Sequence, residues 1–211
     1  MLDPTQILPF LAAALALNLT PGADMTYVIA RSATQGRAAG IAASFGIAAG
    51  SLVHSVLAAL GVSALLQHSE TAFLVVKYAG AGYLLYLAWK AIRNGGQTIG
   101  MKQRLVRTGL WRVFAEGALT NLLNPKVALF ILAFLPQFVD PGRGDPVLQI
   151  LLLGAMFNVG GTSVNTVVAC SASAAARALG QSAGFGRWLN RLSALIFVGL
   201  AVRLALSERR L

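Results

Sequence analysis

Six apolar stretches alternate with short polar connections along the chain: about Ile7 to Ala30, Gly40 to Leu66, Thr71 to Ile92, Val113 to Phe138, Val147 to Ala176 and Phe185 to Leu206. A helix rises 1.5 Å per residue, so about 20 apolar residues cross a hydrocarbon core of roughly 30 Å. Each stretch is expected to be a transmembrane helix, in an all-α membrane protein. The second carries Ala42, Gly46 and Gly50 four apart, a face small enough for close approach of a neighbouring backbone. Tyr83, Tyr86 and Trp89 gather at the basic end of the third, as in an interfacial aromatic belt.

Two stretches are interrupted. Asn18-Leu19-Thr20-Pro21-Gly22-Ala23-Asp24 puts a proline, a glycine and a carboxylate inside the first, and Asn121-Leu122-Leu123-Asn124-Pro125-Lys126 puts a proline and an ammonium inside the fourth. Proline removes a backbone donor and clashes with the preceding turn, so both helices should break there and free polar backbone groups. In hydrocarbon such groups are tolerated only where protein or a water-filled cavity satisfies them. Interruptions at corresponding positions of two halves point to a transporter's substrate site.

Setting Pro21 against Pro125 aligns spans one and four, and setting Lys90 against Arg203 aligns spans three and six. Three spans is an odd number, so two such halves enter the membrane in opposite senses and form an inverted repeat. The expected organisation is a single membrane domain over 1–211, with repeat one at 1–93, a basic linker at 94–112 and repeat two at 113–211.

Composition agrees with this pattern. Of 211 residues 56% are hydrophobic and 11% charged, against roughly a quarter charged in a soluble domain. The net charge of +10 does not read as a nucleic-acid surface, because the charges sit between apolar runs and act as topology signals. Connections after spans one, three and five hold Arg31, Arg37, Lys90, Arg93, Lys102, Arg104, Arg107, Arg112, Arg177, Arg187 and Arg191. Those after spans two and four hold only Arg143. The basic connections should be cytoplasmic and both termini outside, with Arg203, Arg209 and Arg210 opposing that orientation. Asp3 and the lack of a basic cluster ahead of the first span favour a retained helix over a cleaved signal. Cys170 is alone, so neither an intrachain disulfide nor a cysteine-rich metal site is expected, and it reads as a packing residue.

The chain resembles the lysine exporter superfamily and, within it, the homoserine/threonine efflux branch. The likeness rests on Pro-Gly-x-Asp and Arg-Ser-x-x-x-Gly-Arg between Leu17 and Arg37, and on Gly-x-x-x-Gly-Ser-Leu-Val-His from Gly46. It continues through Lys-Tyr-Ala-Gly-Ala-Gly-Tyr-Leu from Lys77 and Asn-Leu-Leu-Asn-Pro-Lys through Leu-Pro-Gln-Phe from Asn121. Spans five and six match in hydropathy and position alone. The resemblance implies a six-helix inner-membrane exporter of amino acids or close derivatives, driven by protons and homodimeric, with no single substrate across the family.

The substrate-binding set read from these positions is Asn18, Thr20, Pro21, Gly22, Asp24, Asn121, Asn124, Pro125, Lys126, Asn158 and Asn165. The proton-coupling candidates are Asp24, His54 and Glu116, and no catalytic residue, metal or cofactor is expected. An embedded carboxylate such as Asp24 costs at least about 2.5 kcal/mol unless paired or hydrated, although capping the restarted helix is an alternative role. Lys126 either lines the pathway or forms a salt bridge between the halves, to Asp24 itself. Asn18, Thr20, Asn121 and Asn124 either satisfy freed backbone groups or touch substrate. His54 suits a proton relay or a packed, hydrogen-bonded role. Glu116 lies near an interface, where solvation alone would explain it. Asn158 and Asn165 belong to a polar run that lines a pathway or glues helices. Lys77 is expected to snorkel.

Three other readings compete with export: a passive channel, a purely structural membrane protein and an intramembrane hydrolase. The hydrolase would use Ser51 and His54, which share a helix face, but the chain has neither a Gly-x-Ser-x-Gly elbow nor a His-Glu-x-x-His pair. A structural protein would have no use for a carboxylate and two proline breaks at depth.

Overall fold

A computed structural model describes residues 2–68, 70–93, 106–171 and 183–206. Among them the chain is helical and contains no strand: α1 (Pro4–Leu19), α2 (Ala23–Gln35), α3 (Arg37–His68), α4 (Glu70–Arg93), α5 (Leu110–Leu122), α6 (Pro125–Phe134), α7 (Pro146–Cys170) and α8 (Ala183–Leu206). Short 3-10 turns at Leu135–Phe138 and Pro141–Arg143 lead from α6 to α7.

Local sequence explains where three of these helices start, α1 at Pro4 ahead of the expected Ile7. Asp3, Asn124 and Asp145 are N-caps whose carboxylate or amide oxygens accept from Thr5 N, Lys126 N and Val147 N, and each is followed by proline at the first helical position. Such a cap stabilises a helix by about 1 kcal/mol, and proline there loses no hydrogen bond.

Both expected breaks are present. α1 and α2 meet at a bend of 51° across Thr20 to Gly22, and α5 meets α6 with its 3-10 continuation at 54° across Leu123 and Asn124. Among the described residues, Arg37–Gly61 and Pro146–Cys170 are each long and apolar enough to cross a membrane, and the two bent pairs bring the number to four if each is one span. α4 and α8 cover the remaining apolar stretches.

One expected connection is nearly absent. Arg31 to Ala39 was to be a basic loop, but α2 runs to Gln35 and α3 starts at Arg37, leaving Gly36 at φ 92° as the whole turn. A positive φ is open to glycine without steric cost, so one residue suffices to reverse the chain. Arg31 is consequently inside α2 and only 3% exposed, its charge met by partners that the sequence placed far away. Cys170 also departs from expectation: it is exposed at the end of α7 rather than packed. The linker from 94 to 105, Ser69, the segment 172–182 with Arg177, and Arg209 and Arg210 lie outside the described residues, as do the side chains of Lys77, Arg187 and Arg203.

Small residues set the tightest packing. A Cβ on Gly46 would land on the Phe114 carbonyl, one on Gly117 would come within 2.7 Å of Ala43 O, and one on Gly50 within 2.7 Å of Ala118 O. α3 and α5 are thus in backbone contact from both sides, which fits the small-residue face read from Gly46 and Gly50. α7 packs on the other flank of α3, and α4 pairs with α8. An aromatic core forms where α1, α6 and α7 meet, with Phe10 edge-on to Phe138 and Phe130 against Phe134 and Phe157. Leu52, Val53, Val56, Leu57 and Leu60 on α3 and Leu148, Leu151, Leu152 and Val159 on α7 face outward. Apolar faces of that extent match a lipid surround rather than water.

Candidate functional site

The two prolines have a consequence that can be traced atom by atom. Pro21 has no N–H to give the carbonyl four residues back, Leu17 O, and Pro125 has none for Asn121 O. Lys126 Nζ donates to Leu17 O at 3.2 Å and to Thr20 O at 2.9 Å. His54 Nε2 donates to Asn121 O at 3.2 Å, since a carbonyl can only accept. Each of these carbonyls keeps one backbone bond of the tighter i,i+3 kind, from Thr20 N to Leu17 O and from Asn124 N to Asn121 O, and receives in addition a side chain from the other half of the chain. Lys126 sits at the C-terminal end of α1, where the helix dipole favours a cation.

A second link crosses between the same breaks. Asn121 Nδ2 donates to Asp24 Oδ2 at 2.8 Å, tying the first turn of α2 to the last turn of α5. Asp24 does not cap α2; Gly22 holds the N-cap position without a side-chain bond. Asp24 and Lys126 form no ion pair, each being engaged with neutral groups across the interface. Gly22 gives Lys126 its room, because a Cβ there would lie 3.1 Å from Nζ.

Three polar atoms at this junction are buried without a hydrogen-bond partner in the protein, Asp24 Oδ1, Asn121 Oδ1 and Asn124 Nδ2, as is Ser51 Oγ on α3, whose helix neighbours Gly50 and His54 both lie against Asn121. Asn121 is 1% exposed and Asn124 5%, and such groups each cost about 1–3 kcal/mol unless something pairs with them. The set offers hydrogen-bond acceptors from Asp24 and Asn121, a donor from Asn124 and an ammonium from Lys126.

The other predicted residues are placed around it. Thr20 is the C-cap of α1, with its hydroxyl on Ala16 O. Asn18 donates to Phe157 O on α7 at 3.3 Å and lies against Gly161, where a Cβ would meet Asn18 Oδ1 at 2.9 Å. Asn158 donates to Ala48 O on α3 at 2.7 Å, and Asn165 is buried on α7. Glu116 is away from the breaks, bonded to Arg31, Arg112 and Tyr27. His54 Nε2 is committed to Asn121 O rather than to Ser51, so the nucleophile–base hydrogen bond a hydrolase needs is not made there. Among the described residues no group of three or more His, Cys, Asp or Glu could hold a metal ion.

Sequence reasoning missed Tyr27, Arg31 and Gln35, which join α2 to the start of α5, and it gave Ser51 no part in a transport site. Arg31 counted as a loop charge; its i−4 and i+4 neighbours Tyr27 and Gln35 on one helix face were the available signal.

The pattern of LysE type translocators matches residues 15–208, nearly the whole chain. The chain belongs to the LysE type translocator family. It is thus a membrane translocator and not an enzyme. An uncharacterized membrane protein of Vibrio cholerae is 30% identical over 206 residues, covering 95% of this chain and 97% of the relative. Another from Pseudomonas aeruginosa is 36% identical over 148 residues, 67% of each chain. The leucine efflux protein of Salmonella typhimurium is 27% identical over 196 residues, 93% of this chain and 92% of that one. No solved structure is a significant match.

Proposed function

We propose that this LysE-type translocator exports a small neutral amino acid or close derivative, threonine- or homoserine-like in size, by proton-coupled alternating access. The observation that carries the reading is the set of buried, unpartnered polar atoms where the two proline breaks meet. The substrate ammonium is taken by Asp24 Oδ1 and Asn121 Oδ1, and its carboxylate by Lys126 and Asn124 Nδ2. Binding then offsets the desolvation cost of those groups. Asn18, Thr20, Asn158 and Asn165 shape the walls, and Pro21, Gly22 and Pro125 hold the broken backbone open. The named activity of the Salmonella relatives, leucine efflux, widens the class to apolar side chains.

On this reading α1/α2, α3 and α4 form one three-span repeat and α5/α6, α7 and α8 its inverted counterpart, in a bacterial inner membrane with both termini outside and two copies per assembly. Asp24 and His54 are the proton-coupling groups, linked through Asn121.

Efflux profiling tests this. Cells expressing the chain are loaded with a panel of amino acids and lactones, and a neutral member should leave faster only while the proton gradient stands. Asp24→Asn and Lys126→Met should each lower that rate at least about tenfold with normal membrane insertion, as each removes a substrate contact and strands a buried group. Full transport by either variant overturns the two-point site. Export that survives collapse of the gradient returns the passive channel.

A further inference from the structure

At the end of α2 away from the breaks, all three guanidinium nitrogens of Arg31 donate hydrogen bonds. Nε donates to Tyr27 Oη at 3.2 Å, Nη1 to Gln35 Oε1 at 2.6 Å and to Val106 O at 3.1 Å, and Nη2 to Glu116 Oε2. Tyr27 Oη lies 3.0 Å from both Glu116 Oε2 and Val113 O, its one proton serving either, and Gln35 Nε2 donates to Thr108 O at 2.8 Å. Arg112 Nε donates to Glu116 Oε1 at 3.1 Å.

These contacts fall into two kinds. Arg31 with Tyr27, Arg31 with Gln35, and Glu116 with Arg112 lie within one helix at i,i+4 spacing. Arg31 to Glu116 and Val106, Tyr27 to Glu116 and Val113, and Gln35 to Thr108 join the first half of the chain to the second. Breaking the second kind leaves Arg31 hydrogen-bonded to the neutral Tyr27 and Gln35 and leaves Glu116 paired with Arg112, so neither group is stripped of every polar partner. A buried pair without such substitutes would be held shut by the cost of an uncompensated charge.

We infer that Arg31, Tyr27 and Glu116 form a separable latch between α2 and α5 that closes the site from the basic-loop end and parts to admit substrate. α5 is held on α3 at Gly46 and Gly117, and α2 is held on α3 at Gly40, where a Cβ would strike Ser32 Oγ, so the latch parts by separating α2 from α5 at this end of the bundle. Its opening exposes the junction of Asp24, Asn121 and Ser51 from that end. This rests on the alternating-access reading, and its test is read without transport.

In a Cys170→Ala background, Ser51→Cys is the reporter, labelled with a membrane-impermeant maleimide applied from the basic-loop side. Glu116→Gln, similar in size and without the charge, should raise the labelling rate about tenfold, a shift toward the open population. The charge exchange Arg31→Glu with Glu116→Arg should bring it back toward the starting value. Unchanged labelling in a correctly inserted Glu116→Gln protein overturns the latch. Should Glu116→Gln fail to accumulate in the membrane, Gln35→Cys with Thr108→Cys, bridged by a short bis-maleimide, decides instead. The bridged protein should lose export that the unbridged double variant retains, and equal export by both overturns the latch. A chain that exports nothing yet shows the labelling increase would sink the exporter reading and keep the latch.

Discussion

Gly22 is where residue-scale chemistry separates function from stability. Its backbone is extended, with φ −158° and ψ −168°, which alanine adopts readily. The methyl group of Gly22→Ala would press on Lys126 Nζ, the free end of a flexible side chain, which yields by a few tenths of an ångström and lengthens its bonds to Thr20 O and Leu17 O. The melting temperature of the purified variant should change by less than corresponds to about 0.5 kcal/mol, because the Lys126 bonds are lengthened and not lost. Its efflux rate should nonetheless fall severalfold. A large loss of thermal stability with unaltered efflux would make Lys126 a structural cap alone. Asp24 and Lys126 were legible in the sequence because a charge in an apolar run is conspicuous. Arg31 was not, since its burial depends on Glu116, 85 positions away.

At the scale of elements, the two broken helices share one device: a proline that frees a carbonyl, and a donor from the opposite half that takes it. Pro21→Ala and Pro125→Ala each restore an N–H that competes for Leu17 O or Asn121 O and favours a straighter helix. Both variants should insert normally and export at least about tenfold more slowly, as misplaced reacting groups do. Wild-type export by both would remove the breaks from the mechanism. Gly46→Ala acts on packing instead. Its methyl meets the Phe114 backbone, where nothing flexible can yield, so α5 is forced off α3 at a cost of about 1–3 kcal/mol, seen as a lower melting temperature. Stability equal to wild type would mean that α5 shifts freely on α3, contrary to its being held there at Gly46 and Gly117.

For the whole molecule, the uneven distribution of Lys and Arg predicts the orientation. Reporter fusions after Gly36 and Gln103 should report the cytoplasm, and fusions after Ser69 and Pro141 the outside. The reverse pattern would discard the orientation while leaving the helices as they are. The sequence by itself determined the helical class, the approximate ends of the apolar stretches and both breaks, because these follow from local hydropathy and from a proline acting on its own carbonyl. It also marked Gly46 and Gly50 as a close-packing face, since spacing by four puts them on one side of α3. Only the tertiary structure decided which partners the freed groups take. The bonds from Lys126 to Leu17, from Asn121 to Asp24 and from Arg31 to Glu116 span 85 to 109 positions, and no local rule chooses among such pairings. The Asp24–Lys126 salt bridge, one of the two readings of Lys126, is not made: Lys126 donates to Leu17 O and Thr20 O, and Asp24 accepts from Asn121. Physically, sequence fixes where backbone groups are set free, and the packing of one half against the other fixes what they meet.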